Sequence, residues 1–285
     1  MQKIPAEFFA LAAAGLNGTI GVFTRFGLEN SSPFAIAFWK CFVAFLVLLP
    51  ICLAKAPLRQ QTQALAGRWK PLAFLAFLGI FALYFFETWA FSEASIPLVS
   101  FLTYAAGVIT ILLSVWVLNE KMTWYKATAF ALIFAGVGLL FLFEGSVSGS
   151  YFGILLAILG GLGYALFIFF SKFFNLPSGL PLLVWLFGFG SIYLFVPFAF
   201  TGLSVPDTTS WLMIFALVLL PSIGGFYCTT KAVEKGEAGK VQIIETTDPL
   251  FSALFAFLIF GDLLAPLGML GAGLIMAGLL FSLKK

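Results

Sequence analysis

The chain has no histidine, and only 9% of its 285 residues are charged. Ordinary soluble domains carry about 25% charged residues, so a water-facing surface of normal character cannot be built from this composition. Without histidine, zinc centres and Ser-His-Asp triads lose their usual ligands and bases. The three cysteines, Cys41, Cys52 and Cys228, stand far apart inside apolar runs, which leaves no disulfide framework. No G-x-x-x-x-G-K-[ST] loop is present, which excludes a nucleotide-driven pump. The 15 Lys and Arg against 12 Asp and Glu give a net charge of +3, too small a basic excess for a nucleic-acid partner. No cofactor and no metal site is expected. An integral-membrane lipid enzyme is the remote alternative, because the clustered His or Asp ligands such enzymes use near an interface are missing.

What is abundant is apolar surface: 62% of residues are hydrophobic and 18% aromatic. Apolar runs bounded by polar, Pro or Gly breaks fall at about 8–27, 34–54, 71–91, 97–118, 123–143, 151–171, 180–200, 211–230, 240–260 and 264–283. With ~20 residues needed per crossing, these runs predict ten transmembrane helices with short connections and no separate soluble domain. The runs are continuous, without the alternating pattern of about ten residues that a membrane barrel needs. The first run follows Met1-Gln2-Lys3-Ile4-Pro5 and is expected to be a retained span, since no clear small-residue cleavage site precedes a soluble domain.

Basic residues set the expected orientation. With the N-terminus inside, 13 of the 15 Lys and Arg fall on inner connections, from Lys3 and Lys55 through Lys240 to Lys285. The outer connections then hold Glu29, Glu93, Glu144, Asp207 and Asp262 and no basic residue. Both termini are therefore expected in the cytoplasm, with the chain in the cell inner membrane.

The chain also repeats itself. Leu118-Asn119-Glu120-Lys121 ends the fourth run and the glycine-rich Ala135–Phe141 closes the fifth; Phe260-Gly261-Asp262 and Met276–Phe281 occupy the matching places in the second half. Glu120 and Asp262 are 142 residues apart, half the chain. Five spans per half is an odd number, so residues 1–145 and 146–285 are expected to cross the membrane in opposite senses, the inverted repeat of a secondary transporter.

Charged groups within spans cost from ~2.5 kcal/mol upward and by default face the protein interior. Lys40 and Glu87 both fall in the outer third of their spans, where an ion pair is geometrically feasible. The plain alternative is a structural pair, or a lysine snorkelling to headgroups; the functional reading is that Glu87 holds a substrate ammonium while Lys40 holds a carboxylate or tunes Glu87. Glu245 and Asp248, three residues apart, share a helix face. Pro249 removes one backbone bond there, which suits a broken helix lining a cavity; the alternative puts Glu245 at the interface beside Lys240. Asn17 lies mid-span between Gly15 and Gly18, either open to a cavity or bonding helices together. Small residues four apart, at Ala127, Ala131 and Ala135, at Gly153, Ala157, Gly161 and Ala165, and at Gly268 and Ala272, predict close helix packing.

Taken together, Gly15-Leu16-Asn17-Gly18, Phe38-Trp39-Lys40, Asn119-Glu120-Lys121, Asp248-Pro249-Leu250 and the glycine-rich closing helices resemble the ten-helix EamA-type branch of the drug/metabolite transporter superfamily over essentially the whole chain. The resemblance implies an all-α membrane fold of two inverted five-helix repeats, with a central cavity lined by spans one, three and four and by spans six, eight and nine. That set contains Tyr84, Tyr104, Tyr164 and Tyr227, whose faces can hold organic cations or flat rings. Where this family more often has Arg, Trp and Pro, the chain has Lys40, Asn17 and Tyr104-Ala105, departures that bear on the cargo rather than on the architecture. The implied function is secondary transport by alternating access. The expected cargo is a small organic metabolite, an amino acid or related amine, moved outward and coupled to protons; import or exchange of a nucleoside-like or quaternary-amine compound is the alternative. Membrane lipids are the other partners, and the chain acts as a monomer or homodimer.

Overall fold

A computed structural model describes residues 4–143, 149–260 and 266–284. Glu144, Gly261, Asp262, Lys3 and Lys285 lie outside the described residues. Regular structure among the described residues is helical, apart from one isolated bridge between Ala94 and Gly149. Among the described residues eight helices are long and apolar enough to cross a membrane: α1 (Ala6–Leu28), α2 (Pro33–Ala54), α4 (Trp69–Glu93), α5 (Leu98–Trp116), α7 (Tyr151–Phe173), α8 (Leu180–Phe200), α9 (Thr208–Lys235) and α10 (Ala238–Ile259). Two further apolar helices, α6 (Trp124–Phe143) and α11 (Pro266–Ser282), stand where the fifth and tenth runs were expected.

One helix has no counterpart among the expected spans. α3 (Ala56–Ala66) carries Arg59 and several glutamines and buries only Thr62 and Leu65. Its Thr62 carbonyl accepts a 2.9 Å bond from the Trp185 indole of α8. A polar helix with a narrow buried face lies along a bundle rather than through a bilayer.

The main core joins α2, α4, α7, α8 and α9 around Phe167, Phe187, Ile80 and Leu183, all fully buried. A second cluster of Ile111, Ala129, Ile133, Val137, Ile243 and Ile275 joins α5, α6, α10 and α11. Large apolar side chains at helix ends, among them Trp69, Trp116 and Trp124 at one end and Tyr151 and Phe200 at the other, are exposed. The amphipathic Trp and Tyr rings among them suit the two membrane–water interfaces.

Small residues bring α7 against its neighbours as expected. A Cβ on Gly161 would stand 2.3 Å from the Thr103 carbonyl oxygen of α5, so only glycine permits this approach. On α6 the expected ladder is corrected: Ala127, Ala131 and Ala135 face outward. The contact face is Ala129, Ile133 and Gly136, against Gly271, Ile275 and Gly278 of α11. Both stripes have small residues near one-turn spacing. The buried one wins because Gly136 and Gly278 let each backbone meet the other, with carbonyls of Gly271 and Ala129 at 2.5 and 2.8 Å from a would-be Cβ.

Five helices depart from α-helical winding. α1, α5 and α10 tighten for one turn at Gly18–Thr19, Ala106–Gly107 and Thr246–Thr247, where backbone bonds span three residues: Thr19 to Leu16, Gly107 to Tyr104 and Thr247 to Ile244 at 3.3, 3.0 and 3.0 Å. Thr19, Thr246 and Thr247 hydroxyls donate to the carbonyls of Leu16, Gln242 and Ile244 at 2.7 to 2.8 Å, each of which also accepts the same threonine's backbone N–H, so side chain and backbone together fasten the turn. α4 and α9 do the opposite and widen into π-helix over Phe77–Glu87 and Val218–Gly225. Such turns are rare and concentrate at functional sites.

Candidate functional site

The irregular turns meet. Asn17 precedes the tight turn of α1, Tyr104 that of α5, and Glu245 and Asp248 flank that of α10. Tyr84 and Glu87 belong to the wide segment of α4, and Pro221 and Ser222 to that of α9. A cavity opens among them, lined by Asn17, Ile20, Lys40, Leu83, Tyr84, Glu87, Thr103, Tyr104, Tyr164, Leu217, Pro221, Ser222 and Phe226. Its volume is about 20 Å³, room for about one water, so the helices are drawn close around it.

The polar wall has a fixed geometry. The fully buried Lys40 ammonium sits 3.9 Å from the Tyr84 ring centroid and donates a 3.1 Å bond to the Thr88 hydroxyl. The Lys40–Glu87 ion pair that the spans make feasible is not a direct contact: among the described residues no Lys40 nitrogen–carboxylate distance falls within 4 Å. The ammonium turns to the aromatic face and to Thr88, and Glu87 keeps one buried carboxylate oxygen without a partner. The Thr103 hydroxyl is likewise buried and unpartnered. Tyr84 donates a 2.7 Å bond to Ser222, joining the two wide-wound segments across 138 residues of sequence. Asn17 is pressed against α9, where a Cβ on Gly225 would lie 2.3 Å from its side-chain oxygen.

Behind this wall stand the other two carboxylates. The Glu245 oxygens accept from Tyr164 at 2.6 Å and from Thr229 at 2.8 Å, and the two hydroxyls are themselves 3.0 Å apart. Asp248 accepts a 3.3 Å bond from Ser252, lies close to Tyr104, and leaves its second oxygen buried and unpartnered. Both acids are buried within the bundle, and Lys240 is engaged with Glu7 at 2.7 Å rather than with Glu245.

Six of the nine candidate residues therefore line one cavity: Asn17, Lys40, Tyr84, Glu87, Tyr104 and Tyr164. Glu245 and Asp248 reach it only through Tyr164 and Tyr104. Tyr227 is not brought there; it packs against the main core, and Phe226 next to it faces the cavity. Ser222, Thr103, Thr229 and Thr88 are the site residues that sequence reasoning missed. Each is a small hydroxyl inside an apolar run, and Pro221 beside Ser222 was the available signal.

Around the lysine-rich end of the bundle the two halves are tied by polar contacts. Lys126 pairs with Glu237, Lys235 donates to the Ile4 carbonyl at 3.2 Å, and Glu120 accepts the Ala238 and Gly239 backbone N–H groups at 2.7 and 3.0 Å. Partial burial holds the Glu120 carboxyl above its ordinary range despite those two donors. At the other end Asn30 donates to Asp207 at 3.2 Å and the Trp39 indole to the Ser204 carbonyl at 3.3 Å.

Comparison with known proteins agrees with this architecture. An uncharacterized transporter of Archaeoglobus fulgidus is 27% identical over 291 residues, covering 98% of this chain and 96% of its own. An uncharacterized transporter of Helicobacter pylori is 27% identical, with 94% and 93% covered. A protein of known crystal structure, 17% identical, shares the fold with a TM-score of 0.79 over 97% of both chains. The family model of the EamA-like transporters matches residues 4–142 and again 151–284, and the chain belongs to that family of membrane transporters.

Proposed function

We propose that this transporter carries a small organic metabolite bearing an ammonium group, an amino acid or related amine, through the Lys40–Glu87 cavity by alternating access. In this reading residues 1–145 and 146–285 are inverted five-helix repeats, α6 and α11 complete ten spans, and both termini are cytoplasmic in the cell inner membrane. The direction is outward and the driving ion is the proton.

One observation carries the reading: the described interior holds three buried carboxylates, Glu87, Glu245 and Asp248, against one buried ammonium, Lys40. Unpaired charge in a low-dielectric interior is costly, so this interior is completed by added positive charge. Glu87 supplies a free carboxylate oxygen at the cavity. The Tyr84, Tyr104 and Tyr164 rings supply faces that attract cations, and Lys40 offers a partner for a substrate carboxylate. A nucleoside-like or quaternary-amine cargo moved inward or by exchange would use the same tyrosine faces, and the choice between cargoes is left to the screen.

The test is ligand-induced thermal stabilisation of the purified protein against amino acids, polyamines, quaternary amines and nucleoside-like compounds. A ligand at 100 times its Kd raises stability by about 2.7 kcal/mol. Stabilisation by primary amines or amino acids, lost in Glu87→Gln, is expected. Stabilisation that survives in Glu87→Gln, or that comes only from uncharged compounds, would sink the assignment.

A further inference from the structure

Three contacts of 2.6, 2.8 and 3.0 Å close a ring between the Tyr164 hydroxyl, the Thr229 hydroxyl and the two oxygens of Glu245. Each hydrogen bond needs one proton, and the two hydroxyls bring two. With Glu245 ionised, both hydroxyls point at the carboxylate, and the 3.0 Å Tyr164–Thr229 contact joins two oxygens with no hydrogen between them. One added proton completes the ring. Glu245 then donates to Thr229, Thr229 to Tyr164, and Tyr164 back to the second Glu245 oxygen, so that all three contacts are hydrogen bonds.

The surroundings favour that added proton. The titratable groups facing Glu245 are Tyr104 of α5, Tyr164 of α7, Cys228 of α9 and Asp248 of its own helix, none of them cationic. Among the described residues no lysine or arginine pairs with Glu245, and the nearby Lys240 is held by Glu7 of α1. Asp248, one turn on, adds a second buried carboxylate with an unpartnered oxygen. The ring also has a distinct depth. Glu245 is seven residues from the lysine-rich start of α10, about 10 Å at 1.5 Å per residue, whereas Lys40 and Glu87 are a similar distance from the opposite end. Tyr164 alone belongs to both places, its ring in the cavity wall and its hydroxyl in the ring of bonds.

We propose that Glu245, Tyr164 and Thr229 form a proton-binding site, with the exchangeable proton on Glu245, separate from the Lys40–Glu87 wall that meets the cargo. Its use as the coupling site rests on the transporter reading above; the binding of a proton does not. The proton comes from water, forming the Glu245 O–H bond, and returns to water when that bond breaks. Tyr164 is the element through which occupancy of the cavity reaches it.

The test is infrared difference spectroscopy of the full-length protein in liposomes as pH is varied, with no ligand added. A titrating C=O band of a protonated carboxyl is expected, lost in Glu245→Gln. In Tyr164→Phe the band is expected at higher frequency, because the carbonyl has lost its donor; this second variant decides the matter if Glu245→Gln fails to fold. A band unchanged in Glu245→Gln, one removed by Glu87→Gln or Asp248→Asn instead, or no titrating carboxyl band at all overturns the proposal. A Glu245 band without stabilisation by any amine would sink the cargo reading and leave the proton site, and amine stabilisation without a Glu245 band would do the reverse.

Discussion

Asp207 shows how a single exposed side chain sets the start of a long helix. It precedes α9, accepts from the Ser210 backbone at 2.9 Å and from Asn30, and the Ser210 bonds hold its carboxyl below the usual Asp range. A depressed folded value contributes stability above the unfolded Asp value and loses it as pH falls through the folded one. Thermal unfolding measured across the acid range is therefore expected to separate wild type from Asp207→Asn at neutral pH and to bring the two together at low pH. Equal separation at every pH would mean that the charge of Asp207 does not matter. Tyr84 is a buried counterpart. Its bond to Ser222 links two wide-wound segments, and Tyr84→Phe removes it while keeping the ring under Lys40. The expected loss is about 1 kcal/mol, read as a lower unfolding temperature, with Ser222→Ala giving a similar loss and the double variant little more. Additive losses would show that the two hydroxyls act independently.

Helices differ in how much of them the sequence discloses. The eight long spans follow from continuous apolar runs, and the break in α10 follows from the Thr246-Thr247-Asp248-Pro249 stretch. α3 is not visible to a search for apolar runs, because its buried face is two residues wide. The widening of α4 has no sequence mark, since Phe77–Glu87 contains no proline; within it Gly79 lets Phe167 in close. The same limit hid the hydroxyl partners: six of the nine candidates are lining residues because charge and tyrosine are rare enough in spans to notice, while serine and threonine are not. It also misplaced the α6 stripe, since spacing alone cannot choose between two faces that both carry small residues. Glycine contacts give the element-scale prediction. Gly161→Ala puts a Cβ against the Thr103 carbonyl and is expected to cost about 1–3 kcal/mol as overpacking. Gly138→Ala on α6, with nothing within 4 Å, is expected to be neutral or to gain about 0.4–1 kcal/mol. Equal unfolding temperatures for the two variants would contradict the packing described for α7.

For the whole molecule, the lysine-rich end is tied together by contacts that converge on the start of α10: Glu120 on its first two N–H groups, Glu7 on Lys240, and Lys126 on Glu237. Cys228, half-buried on α9 beside Glu245, reports on that end. In a protein lacking the other two cysteines, Glu120→Ala is expected to raise the rate at which a thiol reagent labels Cys228. An unchanged rate would show that these contacts do not govern access. The cavity draws on both halves, eight of its thirteen lining residues coming from before residue 146 and five from after it. The first half supplies the charged and most of the polar lining, Asn17, Lys40, Glu87 and Thr103 among it, and the second supplies Tyr164, Leu217, Pro221, Ser222 and Phe226. A molecule lodged there would touch side chains from both halves at once, so its grip would be the sum of both walls. A shift of one wall against the other would therefore break part of that grip wherever along the cavity the molecule sat.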